Sequence, residues 1–191
     1  MEYILRADEN VCSIYNAMVT DFIGFLRNKK IRIVTSETTK KETEGQLINA
    51  VNRMLDKINV RRKWQVRGML LAKFGKRCQQ PWSRVEVLSL HGKLEDVKKF
   101  YEELLKDLAT KTRLKKISKF KHRKWPIPED SDLKILSEAI SLKTAENELF
   151  FVTKDEDFCE FSKEIENKFD IVILPVQDLF RFKNKILSGK I

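Results

Sequence analysis

The chain has 191 residues, of which 38 are Lys or Arg and 28 are Asp or Glu, giving a formal net charge of +10. This length accommodates one domain with a hydrophobic core, and an apolar content of 42% excludes an intrinsically disordered chain. No apolar run approaches the length of a membrane span or forms the apolar core of a signal peptide, so we expect a cytoplasmic protein.

The N-terminal part of the chain alternates between strand and helix patterns. Apolar runs and helical spacing predict a strand, a helix, a second strand and a second helix at residues 3–5, 11–26, 31–34 and 37–58. Thr35 and Ser36 are suited to cap the second helix. The first two turns of that helix are wholly polar and contain Glu42 and Glu44. Such turns either face solvent or line a wet acidic cleft.

The middle of the chain is strongly basic. Residues 57–125, called the basic segment below, contain 21 Lys plus Arg and 6 Asp plus Glu, a net charge of +15. The remainder contains 17 basic and 22 acidic residues, a net charge of −5. Spacing predicts a basic helix or helix–loop over residues 61–77 and one continuous helix over residues 93–110.

Such a concentration of positive charge favours contact with a phosphate backbone, although lysines on a solvated helix face give the same composition. The cations that we predict to contact nucleic acid are Arg61, Arg62, Lys63, Lys76, Arg77, Lys115, Lys116, Lys119, Lys121, Arg123 and Lys124.

Residues 128–158 predict a helix followed by a buried strand. Ser131 is expected to cap the helix, Asp132 lies in its first turn, and the strand covers residues 149–152. Asp155 follows that strand, and open α/β sheets bind ligands at the carboxyl ends of their strands. Asp132 and Asp155 are therefore expected to meet at one crevice.

The last part of the chain continues the alternation. A helix, a strand and a terminal helix are predicted at residues 160–168, 170–175 and 176–187. The alternation along the whole chain predicts an α/β fold with a parallel sheet.

The residue types also limit the chemistry. Three scattered cysteines and two histidines do not favour a structural zinc site. Nucleotide-binding glycine loops, the serine-hydrolase elbow and the His-Glu-x-x-His motif are absent from the sequence. Clustered carboxylates repel one another and instead suit the hard cations Mg²⁺ or Mn²⁺.

Two stretches of the sequence resemble the PIN-domain nucleases. One is Asp-x-Asn-Val at residues 8–11, after the first predicted strand. The other combines Asp132 with Thr-Lys-Asp-x-Asp-Phe at residues 153–158, and together the similar regions cover residues 1–56 and 128–182. The resemblance implies a three-layer fold, with a mainly parallel sheet and helices on both faces. It also implies a single domain over residues 1–191, with the basic segment as a helical insertion.

The resemblance implies roles for particular residues. The implied catalytic residues are Asp8, Glu42, Asp132 and Asp155. Glu44 is the alternative to Glu42. Asp8, Asp132 and Asp155 would bind Mg²⁺ or Mn²⁺, whereas Asn10 and Asp157 would orient the site without contacting the metal.

The implied function is a metal-dependent endoribonuclease that hydrolyses RNA phosphodiester bonds, either a toxin of a toxin–antitoxin pair or an RNA-processing enzyme. The alternative is a catalytically inactive PIN-like protein that binds RNA or serves as a scaffold. The implied partners are RNA, an antitoxin or other acidic protein, and a second copy of the chain in a homodimer. No membrane partner is expected.

Overall fold

The computed structural model of the protein describes residues 21–56, 62–82 and 85–189. Helices and short parallel strands alternate along this part of the chain, which confirms the α/β class. The chain forms two compact units, residues 1–89 and residues 90–191. The basic segment contributes helices to both units, and its role as an insertion within one domain stays a prediction.

The first unit contains a small parallel sheet and three helices among its described residues. These elements are α1 (residues 21–28), β1 (Val34–Ser36), α2 (Glu37–Asp56), α3 (Lys63–Trp82) and β2 (Glu86–Leu88). Strand β1 pairs with β2 in parallel, with Val34 opposite Glu86. Ser36 caps α2 as predicted, because its Oγ accepts a hydrogen bond from the Thr39 backbone N–H at 3.1 Å.

The two strands of this unit differ from the prediction. Strand β1 covers Val34–Ser36, later than the predicted residues 31–34, and β2 was not predicted. Each of these strands has only three residues, which is too short for a period-two pattern to be recognised. The predicted strand at residues 3–5 and the first part of the predicted helix at residues 11–26 lie outside the described residues.

The second unit contains the other sheet and six helices within the described residues. Its elements are α4 (Leu94–Leu104), α5 (Leu108–Phe120), α6 (Asp130–Ile140), β3 (Phe150–Thr153), α7 (Glu156–Cys159), α8 (Ser162–Phe169), β4 (Val172–Pro175), a 3-10 turn (Val176–Asp178) and α9 (Leu179–Leu187). Strands β3 and β4 are parallel neighbours, with Phe150 opposite Val172 and Thr153 opposite Pro175.

The predicted continuous helix over residues 93–110 is wrong. Helix α4 ends at Leu104 and α5 begins at Leu108. Asp107 causes the new start, because its carboxylate accepts a hydrogen bond from the Thr110 N–H at 2.9 Å and caps α5. The Thr110 hydroxyl also donates to the Leu104 carbonyl at the end of α4. Apolar residues recur at helical spacing on both sides of this break, so the periodicity of the sequence alone does not locate it.

Three element boundaries in this unit also differ from prediction. Helix α6 has Glu129 at its N-cap instead of Ser131, because Glu129 after Pro128 has an extended backbone and Asp130 is already helical. Asp170 ends α8 in a left-handed conformation, so β4 begins at Val172. The last predicted helix begins with a 3-10 turn, and its α-helical part starts at Leu179.

The core of the second unit includes residues from the basic segment. Its buried cluster comprises Val97, Phe100, Tyr101, Leu114, Ile117, Leu133, Leu136, Phe158, Phe161, Ile165, Ile171 and Ile173. Five of these residues belong to α4 and α5, so these two helices supply core packing as well as surface charge. This packing fixes the position of the turn that follows α5, which carries two residues of the candidate site.

Gly92 lies where the chain passes close to α6. A Cβ atom on Gly92 would overlap the backbone carbonyl group of Ser137, so the backbone would have to move. We expect Gly92→Ala to lower the free energy of unfolding by about 1–3 kcal/mol, the usual cost of overpacking. Gly45→Ala in α2 is the control, since a Cβ there meets nothing within 4 Å and alanine favours the helix. Urea unfolding measures both, and an unaffected Gly92→Ala protein would contradict the close approach.

Candidate functional site

Three carboxylates of the second unit lie together. Asp132, Asp155 and Asp157 each place one oxygen within 4.8 Å of the others, and we call these three residues the acidic cluster. Asp132 lies in the first turn of α6, and Asp155 follows β3 directly. The structure thus brings together the helix-opening and strand-following acids that the sequence singled out. It also adds Asp157, whose oxygen belongs to the cluster itself.

Local hydrogen bonds hold the loop after β3 in place. The Asp155 N–H donates to Thr153 Oγ1 at 3.0 Å, and the Asp157 N–H donates to Asp155 Oδ1 at 2.8 Å. Asp155 is therefore the N-cap of α7 as well as a member of the acidic cluster. The next residues, Asp157 and Phe158, are buried, which directs the Asp157 carboxylate into the protein.

Two cations of the basic segment contact the acidic cluster. Lys121 Nζ lies 2.6 Å from Asp155 Oδ1 and 2.6 Å from Asp157 Oδ2, so it bridges the two carboxylates. Arg123 Nη2 lies 2.6 Å from Asp157 Oδ1. The Asp157 side chain has 0% exposure, so these pairs compensate a charge that water does not reach. Lys121 and Arg123 are thus directed towards carboxylates of the protein.

The turn after α5 places these two cations. Lys121 is the C-cap residue of α5, and His122 follows with a left-handed backbone at φ 54°. The Arg123 N–H then donates to the Ser118 carbonyl at 2.9 Å, and Ser118 Oγ donates back to the Arg123 carbonyl at 3.2 Å. The backbone is therefore fixed on both sides of His122, and Lys121 and Arg123 both reach the acidic cluster.

The two cations differ in how firmly they are enclosed. The Arg123 side chain is only 7% exposed, whereas that of Lys121 is 25% exposed. Arg123 Nε and Nη1 are buried without a hydrogen-bond partner among the described residues. Arg123 is therefore a fixed part of the interior, and the Lys121 ammonium lies near its boundary.

The charges shift the pKa values of neighbouring groups. Burial alone would lower the pKa of Lys121, but hydrogen bonds to Asp155 and Asp157 outweigh it and the pKa is raised. Burial and the negative charge of Asp157 raise the pKa of Tyr101 well above its ordinary value. The Tyr101 hydroxyl therefore stays protonated and donates to the Asp157 carbonyl at 3.0 Å. Burial also raises the pKa of Cys159, which does not favour a role as a nucleophile.

The other predicted acidic residues fall elsewhere in the chain. Asp8 and Asn10 lie outside the described residues. Glu42 is half-buried and Glu44 is exposed, and both belong to α2 in the first unit. Their approach to the acidic cluster stays a prediction.

The remaining predicted cations are distributed over both units. In the first unit, Arg61 lies outside the described residues, Arg62 and Lys63 are exposed, and Lys76 and Arg77 are part of α3. Of the predicted cations in the second unit, Lys115, Lys116, Lys119 and Lys124 are exposed. No carboxylate in the described part of the chain forms an ion pair with these four lysines, so their charges are available to a partner.

Two large aromatic side chains lie among these exposed lysines in the sequence. Phe120 is 70% exposed at the end of α5, and Trp125 is 68% exposed. The Lys124 ammonium lies 5.8 Å from the centre of the Trp125 ring. Exposed rings beside exposed cations are the combination that binds single-stranded nucleic acid, because bases stack on rings while cations contact phosphates.

Sequence reasoning missed the ion pairs between the basic segment and the acidic cluster. Lys121 and Arg123 differ in no obvious way from the neighbouring cations Lys119 and Lys124 in the sequence. The signal that distinguishes them is structural, namely the end of α5 at Phe120 and the left-handed His122.

The donor atoms of the acidic cluster suit a small divalent cation. Carboxylate oxygens are preferred ligands of Mg²⁺ and Mn²⁺, and oxygens sharing one octahedral Mg²⁺ lie about 3–4 Å apart. The observed limit of 4.8 Å is close to that range. The Lys121 ammonium, however, lies between two of the three carboxylates.

Comparison of the chain with protein-family models, with curated proteins and with solved structures found no match. Among the described residues, no helix combines the length and apolar character needed to cross a membrane. The function is therefore inferred from the acidic cluster and the cations around it.

Proposed function

We propose that the protein is a metal-dependent endoribonuclease whose acidic cluster binds Mg²⁺ or Mn²⁺. The observation that carries this proposal is the meeting of Asp132, Asp155 and Asp157 within 4.8 Å. Asp132 comes from the start of a helix and Asp155 from the end of a strand, the two positions that resemble the PIN-domain nucleases. The three-layer fold and the catalytic roles of Asp8 and Glu42, which the resemblance implies, stay predictions.

The three carboxylates would hold the metal, and the metal would activate water and stabilise the leaving oxygen of the phosphodiester. Asp155 is suited to this position because its backbone is fixed by Thr153 and by the start of α7. Asp157 is held by Arg123 and cannot turn towards solvent without separating a buried ion pair. The protein thus presents the carboxylates in a fixed arrangement.

RNA is the proposed substrate because the second unit combines the acidic cluster with exposed positive charge. Lys115, Lys116, Lys119 and Lys124 belong to the same stretch of chain that supplies Lys121 and Arg123 to the cluster. Phosphate contacts made by these lysines would hold a strand near the carboxylates. The exposed rings of Phe120 and Trp125 would contribute base stacking.

The activity is tested by incubating the protein with a mixed RNA pool and Mg²⁺, Mn²⁺ or EDTA. We expect endonucleolytic fragments with either metal and none with EDTA. Fragments formed in the presence of EDTA would contradict a metal-dependent mechanism. RNA that stays intact under all three conditions would contradict the proposed nuclease activity.

A specific observation supports a second candidate, an inactive PIN-like protein that binds RNA or serves as a scaffold. Lys121 and Arg123 already compensate the carboxylates of Asp155 and Asp157, so these two carboxylates do not require a metal to balance their charge. This candidate predicts RNA binding without cleavage in the same assay. Both candidates share the basic surface and differ only in the chemistry at the cluster.

The salt dependence of RNA binding tests the basic surface. We expect affinity to fall steeply with salt, with a log–log slope of about −0.7 for each phosphate neutralised on a single strand. Replacing the four exposed lysines at positions 115, 116, 119 and 124 by Gln should flatten the slope by up to about 2.8, because each lysine that no longer neutralises a phosphate removes about 0.7. The binding protein would carry Asp132→Asn so that the RNA remains intact.

The matched control replaces four exposed lysines outside the basic segment, namely Lys41, Lys163, Lys168 and Lys185. It changes the net charge by the same amount, so an equal effect of both quadruple variants would indicate a general charge effect. A flat salt response, unaffected by either set, would remove RNA as the partner of this surface. An acidic protein such as an antitoxin would then be the better candidate.

A further inference from the structure

The Lys121 ammonium occupies the position between carboxylates that a metal would need. It lies 2.6 Å from an oxygen of Asp155 and 2.6 Å from an oxygen of Asp157. A cation bound to both oxygens at about 2.1 Å, the usual Mg²⁺–oxygen distance, would lie in the same small volume. The ammonium and the metal cannot occupy that volume together.

The ion pairs of the site lead to the same conclusion. Asp155 and Asp157 lose a positive partner when the Lys121 ammonium leaves, and a divalent cation bound to both carboxylates compensates for that loss. Arg123 remains paired with Asp157 in either state.

Burial indicates which of the two cations can leave. The Lys121 side chain is one-quarter exposed and ends in a single flexible ammonium, so it can turn outwards and be hydrated. Arg123 is enclosed, and its backbone is hydrogen-bonded to Ser118 in both directions. Arg123 therefore stays with Asp157 while Lys121 exchanges.

We propose that Lys121 is an internal counter-ion that competes with the divalent cation for the acidic cluster and is displaced when the cation binds. The proposal rests on the proposed function, because it concerns the metal of that site. It gives the turn at residues 121–123 a regulatory role: metal binding releases the Lys121 ammonium from Asp155 and Asp157. The released ammonium is then free to contact a phosphate of the bound strand.

The test measures Mn²⁺ binding by calorimetry or by the electron paramagnetic resonance of free Mn²⁺. We expect Lys121→Met to bind Mn²⁺ at least tenfold more tightly than the unaltered protein, because no ammonium has to be displaced. Lys121→Arg keeps the charge and should bind as weakly as the unaltered protein. Lys116→Met, which removes an exposed charge from the same helix, should change the affinity less than twofold. Adding Asp155→Asn to Lys121→Met should abolish the gain.

A second measurement uses the unaltered protein, so it does not depend on the folding of any variant. Lysine side chains are modified with an amine-reactive acylating reagent with and without saturating Mn²⁺, and the modified sites are quantified by mass spectrometry. We expect modification of Lys121 to increase severalfold with Mn²⁺, while that of Lys116 remains constant.

The outcomes separate this proposal from the proposed function. No gain of affinity in Lys121→Met, or the same gain in Lys116→Met, would overturn the exchange, as would constant Lys121 modification with metal bound. RNA cleavage is assayed in parallel and tests the proposed nuclease activity independently of the exchange. Tighter Mn²⁺ binding without cleavage by any variant would support the exchange and overturn the nuclease. RNA cleavage together with an unchanged Mn²⁺ affinity of Lys121→Met would support the nuclease and overturn the exchange.

Discussion

Asp132→Asn is expected to abolish Mn²⁺-dependent RNA cleavage while leaving the fold intact. The substitution removes one negative charge from the acidic cluster and keeps the shape of the side chain. Metal ions contribute several kcal/mol of transition-state stabilisation. A loss of about 3 kcal/mol corresponds to a rate reduced by about a hundredfold, and we expect at least that much.

Asp130→Asn is the matched control for this prediction. Asp130 lies in the same first turn of α6, and its carboxylate pairs with Lys98 on the surface instead of joining the acidic cluster. The control removes the same charge from the same helix terminus, so its effects on the helix dipole and on net charge match those of Asp132→Asn. It is expected to retain cleavage within about twofold, since exposed ion pairs contribute little.

Asp155→Asn provides the second half of the same test. Asparagine caps helices about as well as aspartate, and its side-chain oxygen can still accept the hydrogen bond from the Asp157 N–H. The start of α7 should therefore persist while the metal ligand is weakened.

Initial cleavage rates and circular dichroism spectra of the Asp132→Asn, Asp130→Asn and Asp155→Asn proteins supply the data. A fully active Asp132→Asn protein would remove Asp132 from the site, and equal losses in Asp130→Asn would indicate a general charge effect.

The sequence predicted the elements around the acidic cluster well, because they are marked by local signals. The apolar run before Thr153 identified β3, and the acidic residues after Pro128 marked the start of α6 within two residues. Both signals are independent of distant parts of the chain. Asp132 and Asp155 could be singled out from the sequence because each lies next to the boundary of a helix or strand that local signals mark.

The surroundings of the cluster could not be predicted because they depend on contacts between distant residues. Lys121 is 34 residues from Asp155 and 36 from Asp157 in the chain, and the composition of the basic segment predicts only a charged surface. Core packing of Leu114 and Ile117 within the second unit determines which cations of the basic segment face inwards. The composition of the basic segment therefore predicts one role for Lys119, Lys121, Arg123 and Lys124, whereas the structure divides these cations between the surface and the acidic cluster.

The break between α4 and α5 was missed for a related physical reason. Apolar residues continue at helical spacing through residues 94–114, but the capping contacts of Asp107 and Thr110 interrupt the helix. Side-chain capping competes with helix propagation at such positions, and its outcome is decided by packing. This break starts α5 as a separate helix, and the turn after α5 carries Lys121 and Arg123, which contact the acidic cluster.

Arg123→Met is expected to have the largest effect on stability. The variant keeps an apolar side chain in the interior but leaves Asp157, which is fully buried, without its Arg123 partner. Removing one partner of a buried ion pair costs about 3–5 kcal/mol, because the remaining charge loses its compensation without regaining water. Lys121 still contacts the other Asp157 oxygen, so we expect a loss of about 3 kcal/mol, at the lower end of that range.

Urea unfolding of the full chain, followed by tryptophan fluorescence and circular dichroism, measures this loss. The control is Lys124→Met, an exposed neighbour whose replacement should change the free energy of unfolding by less than about 0.5 kcal/mol. The double variant Arg123→Met with Asp157→Asn should be more stable than Arg123→Met alone, because the uncompensated charge is removed together with its partner. If the double variant were less stable than Arg123→Met by the full cost of Asp157→Asn alone, the two side chains would be energetically independent. Arg123 would then stabilise the protein by packing, and the ion pair with Asp157 would contribute nothing.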